Sequence, residues 1–259
     1  MPTSDNPHDS VFDQLANEYD AWFLKNANVL RSEVLLLALF LREPGRAVSI
    51  GCGTGLFEKI LRDEHGIEIG YGVDPARGMA EIAIRRGVEV QTGTADQLPF
   101  EDGAFDTALL NGTPSYLPDL ERAFAEAWRV LRFGGYVVVA DVPAESSYGL
   151  LYRLAARVGS WDDPVLRGVG PAHPYPVKFV GGANWRTTEE KAALLTTVGF
   201  TDLETAQTLT VHPKYSDAAV EQPSAGHDRG DYVAIRARKP LGHGQNSGTA
   251  GTTVRSAPE

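Results

Sequence analysis

Across residues 11–41 the apolar positions recur at helical spacing. They run through Phe12, Leu15, Ala16, Tyr19, Trp22 and Phe23, then Leu30, Val34, Leu37 and Leu41. This predicts an N-terminal helical segment, ended by Pro44-Gly45 and preceded by a polar, loose stretch at 1–10. From residue 47 the pattern changes, and short unbroken apolar runs alternate with helical stripes. The runs at 47–50, 69–73, 88–90, 105–110 and 136–142 read as five strands. Helices between them are marked by Leu56, Phe57, Ile60 and Leu61, by Met79, Ile82 and Ala83, and by Leu120, Phe124, Ala127 and Leu131. Gly134-Gly135 reads as the stop of the last of these helices. Continuous apolar strands separated by helices predict a mostly parallel sheet covered on both faces.

After residue 141 the rhythm breaks. Residues 148–158 read as a helix. The stretch 159–185 is rich in Gly and Pro and holds His173, Tyr175, Phe179 and Trp185, which predicts an ordered lid. Thr187 with Glu190 forms a capping box for a helix ending at Val198-Gly199. Residues 200–211 and 231–237 read as two more strands joined by a polar loop. The predicted organisation is a helical cap at 1–45, a main domain at 46–239 with an insert at about 143–186, and a disordered tail at 240–259.

Composition narrows the function. With 259 residues, 42% hydrophobic and 22% charged, the chain suits one large globular domain. Twenty-four Lys and Arg against 34 Asp and Glu give a net charge of −10, which argues against nucleic acid or an anionic membrane as partner. The longest apolar run, residues 34–41, is far short of the roughly 20 residues that span a bilayer. The first Lys is Lys25, so no secretory signal is expected, and a single cysteine, Cys52, excludes an intrachain disulfide. The expectation is a cytoplasmic protein, monomer or homodimer, with no metal site.

The most informative segment is Val48-Ser49-Ile50-Gly51-Cys52-Gly53-Thr54-Gly55, a strand running through alternate glycines into a helix. Such a turn lets a ligand approach the backbone and meet the N–H groups of the helix N-terminus. A dinucleotide fingerprint would place its third glycine at position 56, which is Leu56. Asp74 lies just past the second strand, where a carboxylate accepts both ribose hydroxyls. Together these features favour a nucleoside ligand. A tight turn and a helix N-cap are the structural alternatives.

With Tyr71-Gly72-Val73-Asp74-Pro75, Gly93 to Phe100 (GTADQLPF), Phe105-Asp106 and Trp128 to Tyr136 (WRVLRFGGY), the chain resembles the class I S-adenosylmethionine-dependent methyltransferases. It looks most like the small-molecule branch that includes quinone-biosynthesis enzymes. The resemblance implies a Rossmann-like α/β fold with a seven-stranded sheet of order 3-2-1-4-5-7-6, the last strand antiparallel. It also implies S-adenosylmethionine as cofactor, S-adenosylhomocysteine as product and a small-molecule methyl acceptor. Gly51, Cys52, Gly53 and Gly55 would border the methionine part, and Asp74 would hold the ribose. Pro75 and Met79 would flank the adenine, with Ala95 and Asp96 near its edge and Asn111 near the sulfonium. Tyr19, Asp20 and Trp22 match a Y-D-x-W motif whose helix folds over the cofactor. The chain departs from the family's pattern at Ser49 and Thr94, where acidic residues are usual.

Methyl transfer needs a general base only where the acceptor must lose a proton. His173 and Tyr19 are the candidate catalytic residues, and a plain surface histidine is the alternative for His173. Asp141, ending the fifth strand, would orient substrate or cap the turn. Tyr116, Tyr148, Tyr152, Tyr175, Phe179 and Trp185 would line a substrate pocket or form the insert's own core. Two other functions compete: a nicotinamide-dependent oxidoreductase, which Leu56 argues against, and a non-catalytic cofactor-binding protein.

Overall fold

The computed structural model describes residues 7–242, with side chains from Phe12 onward. Two helices, α1 (Pro7–Lys25) and α2 (Ala27–Phe40), lead into β1 (Ala47–Ile50), α3 (Leu56–His65), β2 (Tyr71–Asp74), α4 (Arg77–Arg85) and β3 (Glu89–Thr92). Then follow β4 (Phe105–Asn111), α5 (Leu120–Val130), β5 (Leu131–Asp141), α6 (Ser147–Val158), α7 (Val177–Val180) and α8 (Thr188–Val198). The chain closes with β6 (Thr201–Thr208), β7 (Ser224–Ala225) and β8 (Tyr232–Arg238).

The sheet has the order β3-β2-β1-β4-β5-β8-β6-β7. Strands β1 to β5 pair in parallel, and β8 runs antiparallel to both β5 and β6. The expected seven-stranded order therefore stands, with one strand added at the edge. That extra strand, β7, is two residues inside the polar loop and carries no apolar pattern to announce it. All four residues of β1 are buried, because alternate side chains serve opposite layers. Ala47 joins Leu109, Val138 and Ala234 under α2 and α3, where Leu36, Leu37 and Leu61 pack. Val48 and Ile50 join Leu110, Val137 and Ile235 under α5 and α8, around Phe124 and Leu195.

Several boundaries differ from expectation. The N-terminal helix begins at Pro7, inside the stretch expected to be loose, while the tail beyond residue 242 lies outside the described residues. Gly134-Gly135 does not end α5. That helix stops at Val130, and the glycine pair lies within β5, where the pairing with β4 shifts register. A Cβ on Gly135 would lie 2.7 Å from the Asp106 carbonyl oxygen, so the two backbones meet there too closely for any side chain. The sixth strand ends at Thr208 because Leu209 takes a left-handed φ of 56°.

The capping box forms as expected, with Thr187 and Glu190 bonded reciprocally at the start of α8. Asp231 ties the insert to the sheet: its carboxylate, just before β8, accepts the Tyr148 N–H in the first turn of α6 at 2.8 Å. Burial pushes the Asp231 carboxyl up to about 6, against the hydrogen bond from Tyr148 N–H. The folded state thus holds this proton more tightly than the unfolded chain, whose reference value is 3.8. Its contribution is complete below about pH 4 and is lost as pH rises through about 6. Denaturant unfolding of the wild type should therefore lose about 2 kcal/mol between pH 4 and 7 relative to Asp231→Asn. A wild-type-minus-variant difference that stays flat with pH would refute this.

Candidate active site

A cavity of about 340 Å³ opens at the carboxyl ends of β1, β2, β4 and β5, where ligands of open α/β sheets bind. Its floor is the turn after β1. The Val73 carbonyl accepts both Gly51 N–H (2.7 Å) and Cys52 N–H (3.1 Å), which forces the chain to reverse at once. Gly51, Gly53 and Gly55 all take positive φ (74°, 53° and 67°). The space beyond Gly53 is open, since a Cβ there would meet nothing within 4 Å. Asp74 is buried beside it, accepting Gly53 N–H at 2.8 Å and Ala76 N–H at 2.9 Å.

The cavity wall includes most of the residues singled out from sequence: Tyr19, Trp22, Gly51, Gly53, Asp74, Pro75, Met79, Ala95, Asp96 and Asn111. Met79 is buried against Ala16 and Ala76, so α1 and α4 close this side together. Asn111 accepts the Tyr232 hydroxyl at 2.8 Å, which leaves its amide N–H groups for another partner. Three expected residues stand behind the wall. Gly55 caps α3, and its Cα side packs on Ala83. The Cys52 sulfur is buried against Gly72, and burial pushes its thiol well up, so it is a packing residue. His173 offers its backbone carbonyl to the Trp22 indole N–H at 2.9 Å, and its ring does not line the cavity. Among the described residues no histidine does; His8 and His243 lie outside the described side chains. Burial and the nearby Glu33 and Tyr116 raise the Tyr19 hydroxyl well above its ordinary value, so it remains a phenol at neutral pH.

The N-terminal motif works through Asp20. Its carboxylate accepts the Thr54 hydroxyl at 2.6 Å and pairs with Arg86, which also donates to the Thr54 carbonyl at 2.9 Å. This clamp fixes α1 to the glycine turn. Arg129 explains why two motifs distant in sequence act together. It donates to the Leu98 and Phe100 carbonyls (3.0 and 2.8 Å) and pairs with Asp102, holding the LPFEDG loop against α5.

Of the aromatic candidates, Tyr116, Tyr152, Tyr175 and Trp185 line the cavity, whereas Tyr148 and Phe179 serve the insert's core. Asp141 both lines the cavity and caps the turn. It accepts the Ser115 hydroxyl at 2.7 Å and Val142 N–H at 2.9 Å, with Lys191 Nζ 3.7 Å away. Two acidic residues carry no sequence motif that would single them out. Glu33 on α2 is buried and lines the cavity, and its only signal is a charge beside an apolar stripe. Glu58 on α3 is buried near Ser49, so a carboxyl stands close to the position where the sequence lacks one. Among the described residues no cluster suits a metal ion, and no helix is long and apolar enough to cross a membrane.

Residues 48–139 match the family described as Methyltransferase domain. An uncharacterized protein of Methanocaldococcus jannaschii is 30% identical over 89% of this chain and 99% of its own length. A Thermus thermophilus demethylmenaquinone methyltransferase is 37% identical over 44% of this chain, a match spanning 55% of that enzyme. A Thermotoga maritima crystal structure, a SAM-dependent methyltransferase and possible histamine N-methyltransferase, is 35% identical with a TM-score of 0.77. That match covers 90% of this chain and 99% of that one. A glycine turn at the strand ends, an aspartate closing β2 and the antiparallel β8 accord with this kinship, and the chain belongs to the class I S-adenosylmethionine-dependent methyltransferases, with S-adenosylmethionine as its cofactor.

Proposed function

We propose that the chain methylates a small-molecule acceptor held in the aromatic half of the cavity. In this reading the cofactor lies along the glycine turn, Asp74 and Met79. The observation that carries it is the open space over Gly53 beside a buried carboxylate, with an apolar wall of Pro75, Met79 and Ala95 in the same cavity. Gly51 and Gly53 would border the methionine part, with Cys52 and Gly55 supporting the turn from behind. Asp74 would accept the ribose hydroxyls. Pro75 and Met79 would enclose the adenine, Ala95 and Asp96 would meet its edge, and Asn111 would face the sulfonium.

When bound, S-adenosylmethionine supplies a methyl group already activated on a sulfonium. The chain's own contribution is alignment and exclusion of water. Tyr19 and Trp22 on α1, with Tyr152, Tyr175 and Trp185 of the insert, form an aromatic enclosure over the strand ends. Holding two reactants in register there is worth on the order of 7–11 kcal/mol. Tyr19, kept as a phenol, is suited to donate a hydrogen bond and orient the acceptor rather than to take a proton. His173 contributes through its backbone, by fixing Trp22. A small acceptor suits a cavity of this size that no Lys, Arg or His lines among the described residues.

Two measurements test this reading. Calorimetric titration with S-adenosylhomocysteine should give micromolar affinity, about −8 kcal/mol. NADH should not bind, and Asp74→Ala should weaken the interaction about 100-fold or more. Undiminished affinity in that variant would remove Asp74 from the site. A second test uses two glycines with equal freedom around them. Gly53 and Gly66 both have positive φ, and an added Cβ at either meets nothing within 4 Å. Each replacement by alanine should therefore cost about 1–2 kcal/mol of stability through backbone strain. Only Gly53→Ala should weaken S-adenosylhomocysteine binding, by tenfold or more. Equal binding by the two variants would place the ligand elsewhere.

A further inference from the structure

Five carboxyl side chains line the cavity, from Glu33, Asp74, Asp96, Asp119 and Asp141, and among the described residues no Lys, Arg or His lines it. Four of these have partners from the protein. Asp74 accepts two backbone N–H groups, Asp119 accepts Arg122 N–H, Asp96 faces Arg122, and Asp141 is held by Ser115, Val142 and Lys191. Glu33 is the exception. It is only 5% exposed, and among the described residues no hydrogen bond or ion pair reaches its carboxyl. Its charged surroundings are adverse, since burial and the Asp141 carboxylate both raise its pKa well above the ordinary value. Tyr19, Tyr152 and Tyr232, whose hydroxyls burial and the Glu33 charge push up, line the same cavity.

A buried carboxyl without a protein partner needs a donor or a counter-charge from whatever fills the cavity. Aromatic rings in the wall of the same cavity add cation–π attraction for a positive group. We infer that the methyl acceptor is an organic amine, whose basic nitrogen is taken up by Glu33 within this aromatic enclosure. The inference rests on the small-molecule reading above and adds the acceptor's chemical class. Asp141, already held by two donors and the Lys191 counter-charge, shapes the field of the pocket, and Glu33 makes the contact.

The test uses full-length protein saturated with S-adenosylhomocysteine, titrated with phenethylamine and tryptamine and with their uncharged counterparts, 2-phenylethanol and tryptophol. At least one amine should bind tenfold or more tightly than its alcohol. Glu33→Gln should abolish that preference while affinity for S-adenosylhomocysteine stays within about threefold of wild type. Amines binding no more tightly than the alcohols would overturn the inference and make Glu33 a neutral hydrogen-bond donor. A preference for amines that survives in Glu33→Gln would overturn it equally. Should the variant fail to fold, the wild-type amine-to-alcohol ratio decides alone. Absence of S-adenosylhomocysteine binding to the wild type would instead count against the cofactor site, a separate failure.

Discussion

The reversal of the chain after β1 is the constraint on which the rest of the site depends. Two N–H groups, of Gly51 and Cys52, bond one carbonyl, that of Val73, so β1 cannot continue and must turn up at the edge of β2. The turn exposes backbone and leaves room above Gly53, and it presents Thr54 to the Asp20–Arg86 clamp. Four elements therefore meet at this one turn: β1, β2 through Asp74, α4 through Arg86 at its end, and α1 through Asp20. A left-handed glycine costs little there, whereas any residue with a Cβ would be strained at three positions.

This arrangement explains which parts of the site were legible in the sequence. Residues whose role is set by backbone geometry near one strand end announce themselves by spacing, as Gly51, Gly53 and Asp74 do. Fixed motifs elsewhere belong to braces: Arg129 needs the Leu98 and Phe100 carbonyls opposite it, so the two segments are recognisable together. A mostly parallel sheet was readable from the apolar runs of its central strands, whereas the order of its strands followed from the family resemblance. The small edge strand β7 was not readable, because two residues cannot carry a period. Gly134-Gly135 misled for a physical reason as well. The same residue type serves a helix stop and a close backbone crossing, and only the neighbouring Asp106 carbonyl distinguishes them.

The acceptor side obeys different rules. It is assembled from α1, α2, the insert that includes α6, and β8, elements far apart in the chain, and its residues are related by packing rather than spacing. Aromatic side chains there divide their labour. Phe179 and Tyr148 hold the insert together, while Tyr152 and Tyr175 do so and also face the cavity. Burial of this kind gives no local pattern that separates a core ring from a lining ring. Trp22 illustrates the coupling, because its indole N–H is bound to the backbone of His173 while its ring lines the cavity. The same residue thus serves the cavity wall and the packing of the insert.

Glu33 marks where stability and function part company. It sits on the face of α2 that is otherwise built from Val29, Leu30, Val34 and Leu37, where a leucine would pack and remove apolar surface from water. An unpaired carboxyl in that place costs several kcal/mol if charged, and it escapes part of that cost only by holding a proton. A helix that gives up packing energy at one buried position, in the wall of an aromatic-lined cavity, gains a group whose energy falls when a suitable ligand arrives. Interactions left unsatisfied in the empty protein are available for binding, and their selectivity is sharp because a ligand without the matching group leaves the carboxyl as costly as before.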